Sequence, residues 1–167
     1  MARMAVACLL AVATANAMSF GFRLGLPKDV LPIALTLARQ MMNPLSIQHE
    51  RFVVATTDKG RRVGFGQIRP LDGDLWELAS LYVEEDARSS GIGRALVAEL
   101  LARHANACRP LDGIHLITLA TTVAWYEDRG FELCKDAPDA MGLEIAAGKY
   151  ISLVLGNELV CMRYAQG

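Results

Sequence analysis

The sequence has little of what marks several large functional classes. Its four cysteines, Cys8, Cys108, Cys134 and Cys161, stand far apart, with no Cys-x-x-Cys pair among them. Neither a zinc-ligand set nor a disulfide framework is signalled. The three histidines, His49, His104 and His115, also lack ligand spacing, so no metal is expected. A basic excess is missing too: 17 Lys and Arg stand against 18 Asp and Glu, for a net charge of −1. A broad nucleic-acid footprint needs surplus positive charge, so nucleic acid is not an expected partner. Internal repeats, low-complexity blocks and linkers are absent from residues 19–167. The longest apolar run, near the N-terminus, is too short and too alanine-rich to span a membrane comfortably, and no membrane partner is expected.

What is present fits an ordinary folded domain. The 167 residues are 53% hydrophobic and 21% charged, enough to build a core. Residues 1–18, "MARMAVACLLAVATANAM", are set apart. Arg3, the apolar run and Ala15-Asn16-Ala17 form a signal-peptide pattern. No acidic residue precedes Asp29, which equally fits an organelle transit peptide. A first helix or a frayed extension is the plainer alternative. Residues 19–167 are read as one domain.

"SFGFRLGL" alternates and reads as a strand. Pro27 and Asp29 open a helix expected to carry Val30, Leu31, Ala34, Leu35 and Ala38 on one face and to stop before Asn43-Pro44. "RFVVATT" and "VGFGQIRPL" form an antiparallel hairpin about a tight turn at Gly60. "WELASLYV" is a buried central strand, and residues 91–104 a helix burying Ile92, Leu96, Val97, Leu100 and Leu101. With "GIHLITLA" this makes a strand–helix–strand unit and a parallel pair. A short helix from Val123 to Arg129 comes next, capped by Gly130. "FELCK" and "KYISLVLGNELVCMRY" close the sheet. The order βαββ, βαβα, ββ predicts a mixed α/β fold, α+β in its arrangement, with a mostly antiparallel central sheet flanked by helices.

The stretch that carries chemistry is Arg88-Ser89-Ser90-Gly91-Ile92-Gly93. It lies between an apolar strand and the start of a helix. Gly91 accepts positive φ and lets a ligand approach the backbone. The amides of Ser89 to Arg94 are expected to point outward unpaired, and with the helix dipole they suit an anion such as a pyrophosphate. Arg88 and Arg94 add positive charge. No Gly-Lys-Ser/Thr comes after it, so this is not a Walker loop, and Leu96 stands where a dinucleotide fingerprint needs glycine. A plain strand-to-helix turn capped by serines fits the same letters.

"LYVEEDARSSGIGRALVAELL" resembles the cofactor motif of the GNAT superfamily of N-acetyltransferases, Q/R-x-x-G-x-G/A, with Arg88, Gly91 and Gly93 at the defined positions. "VAWYEDRGFE" resembles the family's aromatic-Tyr-Glu-x-x-Gly-Phe segment. In element order the likeness covers residues 20–165. It implies main-chain contacts from Leu81, Tyr82 and Val83 to the pantetheine arm of acetyl-CoA. It also implies a pyrophosphate cradle of Arg88, Ser89, Ser90, Gly91, Ile92, Gly93 and Arg94, and Tyr126 as the acid that protonates the leaving sulfur. Members that use a strand glutamate as base carry it where Glu77 stands. Two positions depart from the pattern: Leu119 replaces a frequent asparagine, and Thr122 a frequent alanine.

The chemistry matches the residue types. An alkylamine of pKa near 10.4 must lose a proton before it attacks, and a departing thiolate must be stabilised. A buried Glu77 would have its pKa raised toward neutral, which suits a base acting directly or through water. Tyr82 and Ser80 are further candidate relays, and an amide near Val83 is the candidate oxyanion donor. The expected acceptor is a primary amine, on a protein or a small molecule. Met41, Met42, Asn43, the loop at His49-Glu50-Arg51 and the bend at Asn157 are expected around it. The chain is expected to act as a monomer or homodimer, in the cytoplasm or an organelle interior such as a plastid, since a secreted enzyme meets little acetyl-CoA. A non-catalytic acyl-CoA-binding module or sensor is the alternative of a different class, and a small nucleotide-binding protein a third.

Overall fold

The structure, a computed structural model, describes residues 19–44, 47–142, 145–146 and 156–165. The expectations for residues 1–18, and for a strand over residues 149–155, lie outside the described residues. The described elements are β1 (Phe20–Leu24), α1 (Val30–Arg39), β2 (Phe52–Thr57), β3 (Arg62–Pro70), β4 (Trp76–Val83), α2 (Ile92–Asn106), β5 (Ile114–Leu119), α3 (Val123–Glu127), β6 (Phe131–Leu133) and β7 (Leu159–Tyr164). They form one seven-stranded sheet in the order β1-β2-β3-β4-β5-β7-β6. Every neighbouring pair is antiparallel except β4 and β5. The mixed, mostly antiparallel sheet flanked by helices is the arrangement read from the sequence.

α2 buries Ile92, Leu96, Val97 and Leu100 against one face of the sheet, on Val53, Ala55, Leu78, Ile114, Leu116 and Met162. Each such side chain contributes about 1.5–3 kcal/mol by leaving water. Leu101, expected on the same face, is only partly buried at the edge of this cluster. The opposite face carries a smaller core of Phe52, Val54 and Phe65 under Ile33 and Leu37 of α1, with Tyr82 packed beside them.

α1 is rotated from the expected face. Ile33 and Leu37 are 1% and 0% exposed, while Leu31 and Leu35 are 67% and 48% exposed. The expected face mixed two sides of the helix, since Leu31 and Leu35 lie well round it from Ile33 and Leu37. The helix entry is tied down by Asp29. The Asp29 carboxylate accepts bonds from both Arg23 guanidinium nitrogens, at 2.6 and 3.0 Å, and from the Leu26 amide at 2.8 Å.

β4 is irregular on both of its edges. Ser80 has φ +56, and the β3–β4 register shifts between Phe65/Tyr82 and Gln67/Ala79, which marks a bulge. On the other side β4 pairs with β5 only at Trp76–Ile114 and Glu77–His115. Beyond Glu77 the two strands diverge, and the sheet opens.

Candidate functional site

The opening between β4 and β5 continues into a cleft of about 1100 Å³. β4 contributes Glu77, Leu78, Ala79, Ser80, Leu81 and Val83, while β5 contributes Ile117, Thr118 and Leu119. The loop and first turn of α2 contribute Arg88, Ser89, Gly91, Ile92, Gly93 and Arg94. α3 adds Trp125 and Tyr126, and Met41, Met42 and Asn43 lie at the end of α1. One cleft thus gathers both expected catalytic residues and most of the expected cradle.

The cradle has the geometry an anion needs. Gly91 is the residue before α2 and sits at φ +85, ψ −5, in the left-handed region. None of the amides from Ser89 to Arg94 donates to another described main-chain carbonyl. The first that does is Ala95, to Gly91 at 3.0 Å. Those free donors and the helix dipole lie at one point. A Cβ at Gly93 would come within 3.3 Å of the Trp125 ring, so the missing side chain keeps this corner open.

Three expected residues behave differently in detail. The Ser90 hydroxyl turns back and donates to the Ala87 carbonyl at 2.5 Å, and Ser90 does not line the cleft. The Tyr82 ring lies on the other face of the sheet, 5.5 Å from Phe65, and its hydroxyl donates to Glu84 at 3.3 Å. That removes Tyr82 as a side-chain relay and leaves its main chain in place. Burial first, then the Glu84 charge, raises the Tyr82 pKa. Arg88 folds onto the strand end: its Nε donates to the Val83 carbonyl at 3.1 Å, and its guanidinium lies 5.9 Å from the Tyr82 ring centre.

Arg129 is a cleft residue that sequence reasoning missed. Its guanidinium stacks 3.5 Å over Trp125 and donates to the Trp125 carbonyl four residues earlier. Burial, then repulsion from Arg94, lowers its pKa. Its buried Nε has no hydrogen-bond partner among the described residues. Positive charge partly buried beside Arg94, with a buried donor to spare, fits an anionic ligand. The i to i+4 spacing from Trp125 was the available signal.

Glu77 is 6% exposed and bonds Arg69 Nε at 2.6 Å, with Arg69 directly opposite it on β3. Burial disfavours an ionised carboxylate, and the adjacent guanidinium favours it. Arg69 also lines the cleft and was not anticipated, although the short turn between β3 and β4 places the two residues face to face. Ser80 lines the cleft and accepts from Gln67 at 3.3 Å.

Tyr126 packs edge-on against Trp125 and Phe131, at 4.8 and 5.8 Å between ring centres. Burial pushes its phenol up to about 12, against the pull of Thr118 and Arg129. It is therefore protonated at any working pH and is a donor, not a base. Glu50 and Arg51, expected near the acceptor, instead line a separate hollow of about 320 Å³ with Trp76 and His104. Met41, Met42 and Asn43 do line the main cleft. The bend at Asn157 does not, although Leu159 just after it does.

Residues 48–133 match the family model described as the acetyltransferase (GNAT) domain. No curated protein matches the sequence. Among solved structures, the chain is similar to Rv2747 from Mycobacterium tuberculosis in complex with CoA. The TM-score is 0.65 at 20% identity, over 88% of this chain and 99% of that one. It is similar to Ard1 from Thermoplasma volcanium at TM-score 0.61 and 17% identity, over 89% and 99%. N-acetylglutamate synthase from Neisseria gonorrhoeae, complexed with coenzyme A and L-arginine, gives 0.58 at 18% identity, over 89% of this chain and 34% of that one. The chain thus spans about a third of the Neisseria enzyme. At these identities the likeness speaks for the fold.

Proposed function

The chain belongs to the GNAT family of acetyltransferases, and from that premise we propose that it transfers an acetyl group from acetyl-CoA to a primary amine by direct attack. The observation that carries the reading is the coincidence at one cleft of unbonded amides from Ser89 to Arg94 with Glu77 and Tyr126.

The donor supplies a thioester already activated for attack, so the protein's work is to hold, aim and move protons. The Ser89–Arg94 amides and the α2 dipole hold the diphosphate, with Arg88, Arg94 and Arg129 beside it. The main chain of Leu81, Tyr82 and Val83, left without a β5 partner, lines up the pantetheine arm. Tyr126 donates to the sulfur as charge develops there. With the phenol near 12 and a thiol near 8.5, complete transfer is uphill by about 5 kcal/mol even to the fully formed thiolate, so Tyr126 acts chiefly as a hydrogen-bond donor to the developing charge. Its contribution is therefore strongest once the C–S bond is breaking. Glu77, whose Oε2 accepts from Arg69, takes the amine proton directly or through water.

The acceptor enters from the end of the cleft bounded by Met41, Met42 and Asn43. A supply of acetyl-CoA supports a cytoplasmic or organelle-interior setting. The test is acceptor profiling: peptides and small amines with acetyl-CoA, read as free thiol release, with Tyr126→Phe in parallel. Turnover with at least one amine and a large loss of kcat in Tyr126→Phe are expected. No turnover with any amine, with coenzyme A still raising the melting temperature, would leave a non-catalytic acyl-CoA sensor.

A further inference from the structure

Cys134 and Cys161 stand far apart in the sequence, and the fold sets them side by side. β6 and β7 pair antiparallel at Phe131–Tyr164, Glu132–Arg163 and Leu133–Met162. Continued by one residue, that register puts Cys134 directly opposite Cys161. The Cys134 amide donates to the Cys161 carbonyl at 3.0 Å, which makes them a hydrogen-bonded pair. Directly opposite residues project from the same face of a sheet. Met162 is buried under α2, so Cys161 beside it, and Cys134 with it, project from the other face.

Such a pair holds its Cα atoms about 5.5 Å apart, inside the range of about 4.4–6.8 Å that a disulfide spans. Its Cβ atoms lie about 4.5–5.5 Å apart and must draw in to about 3.5–4.5 Å. Cys134 follows the last residue of β6, at the end of the ladder, where the chain can yield. Both thiols are free and half-buried. We propose that Cys134 and Cys161 form a modification site, a cross-strand dithiol that a small-molecule disulfide converts to an internal disulfide. The proposal is independent of the acetyl-transfer reading.

Two exchanges accomplish the conversion, and they balance. The Cys134 thiolate attacks one sulfur of the small disulfide, forming a mixed disulfide and releasing one thiol. The Cys161 thiolate then attacks the Cys134 sulfur, the internal S–S bond forms, and the second thiol leaves. The protein gives up two electrons to the oxidant, and its two thiol protons end on the two released thiols. Burial first, then the neighbouring Cys134 sulfur, pushes the Cys161 thiol up to about 12. Cys161 is therefore a poor opening nucleophile, and Cys134 starts the exchange. Capping Cys134 removes that neighbour's charge and leaves Cys161 beside its target. In a reducing compartment the dithiol is the resting form. The disulfide fastens β6, the last strand of the sheet, three residues long and paired with β7. Its Phe131 ring lies 5.8 Å from Tyr126 and 5.3 Å from Tyr164 of β7, so the clip steadies the support on which Tyr126 rests.

The experiment uses the full folded chain, reduced and then incubated with glutathione disulfide. Remaining thiols are alkylated in denaturant, and the digest is read by mass spectrometry. Wild type should yield a linked Cys134–Cys161 peptide pair, and Cys108→Ser should do the same. Cys161→Ser should stop with glutathione on Cys134, and Cys134→Ser should leave Cys161 unmodified. On oxidation the wild-type melting temperature should rise by about 5–10 °C, fall back with dithiothreitol, and stay unchanged in Cys134→Ser. Mapping wild type needs no variant, so the test stands even if a serine substitution fails to fold. No linked pair, linkage of either cysteine to Cys8 or Cys108 instead, or glutathione resting on both sulfurs would overturn the proposal. A pair that forms only in denaturant, or that lowers the melting temperature, would overturn it too.

Discussion

Replacing Gly91 with alanine tests the cradle directly. A Cβ at Gly91 would have nothing within 4 Å, so no clash contributes. The whole penalty is backbone: an L-residue held at φ +85 costs about 1–2 kcal/mol. Loss of glycine's freedom in the unfolded chain returns about 0.4–1 kcal/mol. The net destabilisation is about 1 kcal/mol, which lowers the melting temperature by about 2–4 °C in a chain of this size. Gly60 supplies a matched control. It sits at φ +77 in the turn between β2 and β3, also with nothing within 4 Å, and is absent from the cleft lining. Gly60→Ala should lose the same stability. The two differ in ligand response. Coenzyme A at a hundred times its dissociation constant adds about 2.7 kcal/mol to a protein that binds it. Gly60→Ala keeps that increment in a thermal melt, and Gly91→Ala loses much of it. Equal increments in both would refute the claim that this backbone approaches the ligand. An unchanged melting temperature in Gly91→Ala would refute the left-handed conformation itself.

Three other outcomes are expected from the packing and the ionisable groups. Removing either partner of the buried Arg69–Glu77 pair should cost about 3–5 kcal/mol in denaturant unfolding, while Arg69→Met with Glu77→Met restores much of that stability without restoring turnover. Leu37→Ala should cost about 2–5 kcal/mol and Leu35→Ala less than about 0.5, and equal values would mean α1 is rotated otherwise. Tyr126 has a pKa raised from 10 to about 12, so its contribution to stability is complete below pH 10 and is lost as pH rises to 12. In denaturant titrations across that window wild type should lose more stability than Tyr126→Phe.

How much of this was legible depended on whether the signal was local. The turn into α2 was, because one short stretch holds the strand end, the turn glycine and the helix start. α2 was, because a single apolar stripe runs from Ile92 to Leu100. α1 was legible as a helix, but the face read for it mixed two sides, Leu31 and Leu35 lying well round from the buried Ile33 and Leu37. The pairing of Arg69 with Glu77 needed the register of the β3–β4 hairpin. The bulge at Ser80 left no mark in the letters, because serine is not the residue that positive φ normally selects. The Thr118–Thr122 hydroxyl contact depends on the turn after β5, which brings the two within 2.6 Å.

The short ladder between β4 and β5 has a structural meaning of its own. Two residue pairs and the α2 crossover join a four-stranded half, β1 to β4, to a three-stranded half, β5 to β6. Along the rest of the seam β4 offers main-chain donors and acceptors that no described strand takes up on that side. The pantetheine arm proposed to lie there would complete the weave that the described strands leave unfinished. On that proposal, recognition and the knitting together of the two halves would be one event, and the grip on the guest would be borrowed from the architecture itself.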